Sequence, residues 1–568
     1  VPAEVRAAAA RRALIGRPAR PAYHRRVSAT PFPNQPSPFA DVNLFDLDVA
    51  LREAVAHGRA MWAREALSSW GATLGAAQTY ALADAANAHA PELRTYDRSG
   101  TRIDDITFHP AWDALMQLAM ARGEHCSAWR SPQPAAEAAR AASCYLHAQV
   151  ENGTQCPLTM TYASVPVLRR HAPHEAETWL SRIFDDRYDP RSLPVAQKRS
   201  ALLGMGMTER QGGSDVRANL TRAAPDAGGA WRITGHKWFF SAPQSDAHLI
   251  LAQTDGGLSC FLMPRIVPDG RRNNIRVNRL KDKLGNRSNA SAEVEFDGAL
   301  AWPVGAPGRG IATILEMVQH TRLDCVVASA GTIRAALTAA LHHARSRVTF
   351  GRALVLHPLM ANVLADLALE SEASLQLAMM LARAGESDAN DAQRAVARLV
   401  APAAKYWVCK RAVMATAEAM EVLGGNGYVE ENVLPRLYRE APVNSIWEGS
   451  GNVVCLDIRR ALRREPEAAV ALLDRLADAR GANRRYDDAV GRLGSLLRDA
   501  AHDEAPARRV AQAIALTVSG AQMIECAPPA VADAYCASRF DDDTFGGAAF
   551  GTLPDVTRAP LILDRALS

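Results

Sequence analysis

The side chain best placed for proton chemistry is Glu448, in the stretch Val443–Asn452, VNSIWEGSGN. It sits between Trp447 and Gly449. An indole beside a carboxyl excludes water, raises the pKa of the acid and makes its ionised form a better base near neutrality. The neighbours Ile446, Trp447, Gly449, Ser450, Gly451 and Asn452 add backbone freedom and hydrogen-bond donors for a ligand. The same stretch also reads as a helix start capped by Ser or Asn.

Four other segments carry ligand chemistry. Met205–Asp215, MGMTERQGGSD, holds the hydroxyls of Thr208 and Ser214 beside Gly212 and Gly213, with Met205 and Met207 leading in. Glycines next to hydroxyls let backbone amides approach a phosphate or the edge of a heterocycle, although a tight turn has the same composition. Trp231–Ser241, WRITGHKWFFS, ends in Phe239, Phe240 and Ser241, which would give a flat cofactor an aromatic wall and a hydroxyl. Consecutive aromatics in a strand also serve as core. Arg347 and Phe350, in RSRVTFG, are read on a helix, where an arginine fork suits a diphosphate. Gly424, Gly425 and Gly427, in EVLGGNGY, read as a helix stop that leaves amides free. There is no G-x-G-x-x-G, no G-x-x-x-x-G-K-[ST], no G-x-S-x-G and no metal-ligand set.

The elements that must hold these groups follow from texture. Residues 41–200 are dense in Ala, Leu, Met and Glu at helical spacing and read as a helical domain, after an extended, Pro-rich lead-in. From about 201 to 310 come short β-type runs, Trp231–Ile233, His248–Gln253, Leu258–Met263, Ile275–Val277 and Ala292–Phe296, separated by glycine turns. These predict a small antiparallel barrel or sandwich. Residues 311–461 return to long helices, including Ala328–Val348 and Leu359–Ala384, and 462–568 form a further helical segment with a turn-rich end around Asp541–Gly547. The fold class is mainly α with a small central β domain.

Composition narrows the function classes. The 568 residues are 48% hydrophobic and 22% charged, as in ordinary globular proteins, and no apolar run has the length of a membrane span. The net charge of +4 comes from the head: residues 1–30 carry seven arginines against Glu4, so the rest is near neutral. Residues 1–40 are expected to be a disordered basic extension. Lysine is rare, at six of 65 basic residues. Nine dispersed cysteines without a C-x-x-C pair suit reduced thiols and a cytoplasmic location.

Taken in order, the segments resemble the acyl-CoA dehydrogenase superfamily. Its pattern is matched by Thr208-Glu209 with Gly213-Ser214-Asp215, then Gly235 with Lys237 and Phe239, then Arg347 with Phe350-Gly351, then Gly424-Gly425 with Gly427, then Trp447-Glu448-Gly449-Ser450. GMGMTERQGGSDV, GHKWFFSAPQSDAHLILAQT, RLKDKLGNRSNAS and PRLYREAPVNSIWEGSGN resemble its AidB-like branch, of the adaptive response to alkylating agents, over about 40–460.

The resemblance implies an N-terminal helical domain, a β-barrel and a C-terminal four-helix bundle. It also implies FAD held between the subunits of a homotetramer. Thr208 and Ser241 would lie by the flavin edge, Phe239 by its ring and Ser214 on phosphate. Arg347, Phe350 and the 424–427 turn would reach a neighbouring subunit's FAD. Met205, Met207 and Phe240 would line the same site, and Ile446 to Asn452 would complete it. Glu448 stands at the position of the family's base, and Thr321, before Arg322, replaces the glutamate that some branches use instead.

The branch is also associated with double-stranded DNA, for which Arg459, Arg460, Arg463 and Arg464 are the candidate contacts. Against this, residues 462–568 carry 13 arginines and 16 acids. The leading reading is an FAD-containing, DNA-binding alkylation-protection protein with at most weak dehydrogenase activity. The alternative is an active acyl-CoA dehydrogenase or oxidase of unknown substrate.

Overall fold

The computed structural model describes residues 34–500, 503–541 and 549–568. Most of the basic head and most of the turn-rich stretch 541–547 lie outside these residues.

Helices α1 (Val49–His57), α2 (Arg64–Leu74) and α3 (Ala77–Ala88) open the chain. A hairpin follows, β1 (Glu92–Tyr96) and β2 (Arg102–Thr107), inside the region read as wholly helical. Helices α4 (Pro110–Arg122), α5 (Ala136–Ala148), α6 (Gln155–His171) and α7 (Pro173–Ile183) complete this first unit. Helix α5 is buried on every side, which fits its run of alanines.

The β unit comprises β3 (Leu203–Gly206), β4 (Arg222–Pro225), β5 (Trp231–Ser241), β6 (Ala247–Thr254), β7 (Gly257–Pro264), β8 (Ile275–Leu280) and β9 (Ser291–Val304). Strand β6 pairs with β4 and β7, β4 with β5, β5 with β9 and β9 with β7, so the sheet closes on itself. Closure removes the exposed edges. Strand β3 adds in parallel to β6, and β8 pairs with β9.

Helix α8 (Gly310–Ser346) is the axis of the second helical unit. It has the length and hydropathy of a membrane-crossing segment, but 78% of its apolar window is buried inside the protein. The stretch 347–351, expected on a helix, is not helical. Residues 348–353 form a tight hairpin, β10 (Val348–Thr349) with β11 (Arg352–Ala353), turning at Phe350 and Gly351, both with positive φ. Two β-branched residues before a glycine favour strand and turn over helix.

Helices α9 (Pro358–Ala384), α10 (Asp391–Leu423) and α11 (Val433–Asn444) pack around α8, and α12 (Gly451–Arg464) packs against α10. Then come α13 (Glu467–Ala477), α14 (Arg484–Ala500), α15 (Ala507–Cys526), α16 (Pro529–Phe540) and α17 (Ala559–Ala566). This last segment is built into the bundle. Arg539 pairs with the buried Asp366 at 2.7 Å and Glu370 at 3.0 Å, and Arg565 with the buried Glu372 at 2.8 Å. Its helices share one apolar core with the bundle. All nine cysteines are unpaired.

Candidate functional site

Glu448 lies on the six-residue link between α11 and α12, with Gly449 after it. Its φ is +59° and that of Gly449 is +99°. A left-handed backbone costs a non-glycine residue roughly 1–2 kcal/mol, so surrounding contacts must hold it. They are present on both sides. Arg322, on α8, donates from Nε to the Glu448 carbonyl at 3.0 Å and pairs with Asp457 of α12 at 2.8 Å. Lys405, buried on α10, donates to the carbonyls of Asn444 at 3.0 Å and Gly449 at 2.7 Å. Trp447 donates from its indole to Asn444, which in turn donates to Ser329 of α8.

The Glu448 side chain turns inward, where Thr321 Oγ1 donates to its Oε2 at 2.5 Å. Removal from water pushes this carboxyl above its ordinary value; the Thr321 hydrogen bond, then the charges of Lys405 and Arg322, pull it back. The result is a carboxyl poised to take up a proton and held in one rotamer. Nearby, Cys156 of α6 lies beside Ser241, Asn289, Lys283 and Glu448, and burial pushes its thiol up to about 12. It is a protonated, apolar wall.

The glycine-hydroxyl loop is anchored from below. Glu209 and Lys237 form a fully buried pair at 2.8 Å, and Glu209 also accepts from the amides of Leu220 and Thr221. The Trp238 amide donates to the Thr208 carbonyl at 2.9 Å, fixing the loop against β5. A Cβ on Gly213 would lie 2.5 Å from Thr208 Oγ1, so the loop folds tightly back on that hydroxyl. Ser214 is exposed, and Met205 and Met207 pack into the core beneath.

Strand alternation corrects one cofactor residue. Phe239 is 52% exposed, but Phe240 is 1% exposed in the barrel core, stacked on His248 at 3.9 Å. Successive strand residues face opposite sides, so the Phe240 side chain points away from Phe239. Ser241 stands opposite Ser291 of β9.

The remaining predicted residues sit elsewhere on the surface. Phe350 is 98% exposed at the tip of the β10–β11 hairpin. Arg347 caps α8 and donates to the carbonyl of Asn34 at 2.6 Å. Gly424 ends α10, and a Cβ on either Gly424 or Gly425 would meet nothing within 4 Å. Leu359 and Tyr428 are 84% and 81% exposed. Large apolar side chains so open, beside amides with free space, fit a surface that a cofactor and a second chain cover. Ile446 is likewise exposed, and Asn452 accepts from Arg508 Nε at 2.8 Å. Arg460, Arg463 and Arg464 are exposed on one side of the end of α12, with Arg460 also 3.4 Å from Asp457; Arg459 is half-buried.

The residues present fit FAD. Two hydroxyls, a glycine loop and an exposed phenyl suit a flat polar heterocycle, and open glycine amides with an arginine suit a diphosphate. Sequence reading missed Lys405, Cys156 and Arg508. Lys405 carried a signal: it is one of only six lysines.

Comparison with known proteins agrees with this geometry. Residues 34–190 match the model of the adaptive response protein AidB N-terminal domain, 204–299 the acyl-CoA dehydrogenase middle domain and 308–463 the acyl-CoA dehydrogenase C-terminal domain. The chain is 49% identical to AidB of Escherichia coli over 515 residues, covering 90% of this chain and 94% of that one. It is 30% identical to acyl-CoA dehydrogenase family member 11 of Caenorhabditis elegans, covering 84% and 82%. The crystal structure of Caenorhabditis elegans ACDH-11 in complex with C11-CoA superimposes with a TM-score of 0.83 at 27% identity, covering 92% of this chain and 95% of that one.

Proposed function

The chain belongs to the AidB branch of the acyl-CoA dehydrogenase family, whose cofactor is FAD, and from that premise we propose that Glu448 removes the α proton of an acyl-CoA thioester. The observation that carries this reading is the Thr321–Glu448 hydrogen bond on a loop clamped by Arg322 and Lys405. FAD, when bound, supplies the two-electron acceptor. Glu448 holds the proton at Oε2 or Oε1, Thr321 fixes the rotamer, and the apolar wall of Cys156 and Trp447 excludes water. The ligand of the nematode structure, C11-CoA, supports a medium-chain acyl thioester as the class to test. Anaerobic mixing with C11-CoA should bleach the flavin band; a band that stays unchanged with C11-CoA and with shorter chains contradicts the reading.

The exposed Phe350, Leu359 and Tyr428 favour a homotetramer in which these surfaces meet a neighbouring subunit, a state that sedimentation velocity reads directly. A second activity, double-stranded DNA binding with protection against alkylation, is favoured by Arg460, Arg463 and Arg464. Spaced by three and one along α12, they share one face, and repetition across an oligomer strengthens weak phosphate binding. Binding would be insensitive to sequence and steep in salt. Changing the three to Gln should lower the slope of log affinity against log salt by roughly 0.9 for each phosphate no longer neutralised. An unchanged slope, with loss only on deleting residues 1–30, would assign binding to the basic head.

A further inference from the structure

Between α14 and α15, beside the start of α12, a cleft of about 390 Å³ opens to the surface, with Tyr406 of α10 at one side. That volume lies within the range of small-ligand pockets. Its wall is two-sided in chemistry. Leu493, Leu496 and Leu516 give an apolar interior, and Arg492, Arg508 and Arg509 stand around it. No Asp or Glu lines the cleft among the described residues. Arg492 has partners of its own, and a fourth arginine, Arg539, is neutralised by Asp366 and Glu370 beneath it.

Arg508 is held in place by neutral groups. Its Nε donates to the Asn452 side-chain oxygen at 2.8 Å, and its guanidinium lies 6.0 Å from the Tyr406 ring centre. Neither contact offsets the charge. Arg508 and Arg509, brought together without a carboxylate among the described lining residues, repel one another, and an anion relieves that cost. A bare inorganic anion would leave the leucine-lined interior wet. A ligand with an acidic head and an aliphatic tail satisfies both parts of the wall at once.

We propose that this cleft binds an amphipathic anion, with a carboxylate or phosphate head on Arg508 and Arg509 and an aliphatic tail along Leu493, Leu496 and Leu516. The cleft borders the start of α12 through Asn452, and binding there does not depend on dehydrogenase activity. A duplex is too wide to enter between two packed helices, although its phosphates could reach the rim.

The test uses the full-length FAD-loaded protein and calorimetric titration with decanoate and with decyl phosphate. Both should bind saturably, and the tighter of the two identifies the head. Arg508→Gln with Arg509→Gln should weaken binding by about tenfold or more. Leu516→Trp, which fills the interior and leaves the arginines in place, should do the same, with the flavin spectrum and melting temperature unchanged in that variant. Decanol and inorganic phosphate should each bind at least roughly tenfold more weakly than the amphiphiles. The proposal fails if neither amphiphile binds, or if Leu516→Trp binds them as the parent protein does. It fails equally if inorganic phosphate matches decyl phosphate, or if a short duplex displaces decanoate stoichiometrically, which would assign the arginines to nucleic acid.

Discussion

Replacing Thr321 by Val tests how the base is tuned. The two side chains are close in shape, so the buried site on α8 keeps its volume, while Glu448 loses the hydroxyl that donates to its carboxylate. A hydrogen bond to an ionised group is worth about 1.5–3 kcal/mol. At 1.36 kcal/mol for each pKa unit, its loss should raise the apparent pKa of Glu448 by about 1–2 units. The direction follows from which form is stabilised. The hydroxyl donates to the carboxylate and so favours the ionised base, and Lys405 and Arg322 remain to favour it in the variant. Because proton removal needs the ionised form, the rate rises with pH through this pKa. Below both midpoints the variant should therefore be about 10- to 100-fold slower, and well above them nearly equal to the parent. The assay is the rate of anaerobic flavin bleaching by C11-CoA against pH, with flavin content measured in the same samples. A variant slowed equally at every pH would mean that Thr321 positions the loop without tuning the acid. An unchanged midpoint would refute the assigned hydrogen bond.

Two further outcomes follow from the loop beneath. Lys237→Met leaves Glu209 as an unpaired buried charge and should cost about 3–5 kcal/mol in denaturant unfolding; Lys237→Met with Glu209→Gln should recover part of that. A single variant as stable as the parent would show that the pair is not buried in solution. Gly213→Ala forces its Cβ against the Thr208 hydroxyl and should weaken FAD retention by roughly 5- to 30-fold, the equivalent of 1–2 kcal/mol, measured by flavin release on dialysis. Full retention would mean that Thr208 can move without affecting the cofactor.

The barrel was legible because its strands alternate and are punctuated by glycine turns. The stretch Trp231–Ser241 was legible as a strand to its end, whereas Ala292–Phe296 is only the first part of the longer strand Ser291–Val304. Strand β3, Leu-Gly-Met-Gly, was missed because four residues with two glycines have no strand preference of their own; pairing with β6 imposes it. The β1–β2 hairpin was hidden for a related reason, since neighbouring helical composition dominated the reading of ELRTY and RIDDIT. At the site, Glu448 was legible from its neighbours Trp447 and Gly449. What tunes it was not, because Thr321 and Lys405 lie 127 and 43 residues away and only folding brings them together. The rare lysines were the unused signal. Lys198, Lys237 and Lys405 are all buried, against Asp246, Glu209 and two loop carbonyls respectively. In a chain that otherwise uses arginine, they mark places where a compact ammonium fits and a planar fork does not.

The most direct test of Glu448 as the base is Glu448→Gln in FAD-loaded protein, followed by anaerobic addition of C11-CoA. The amide keeps the shape and the Thr321 hydrogen bond but cannot accept the α proton. The expected result is a variant with the parent's flavin content and melting behaviour whose flavin band is no longer bleached. Bleaching at the parent's rate in a variant of equal flavin content would contradict this role, and would place the base elsewhere.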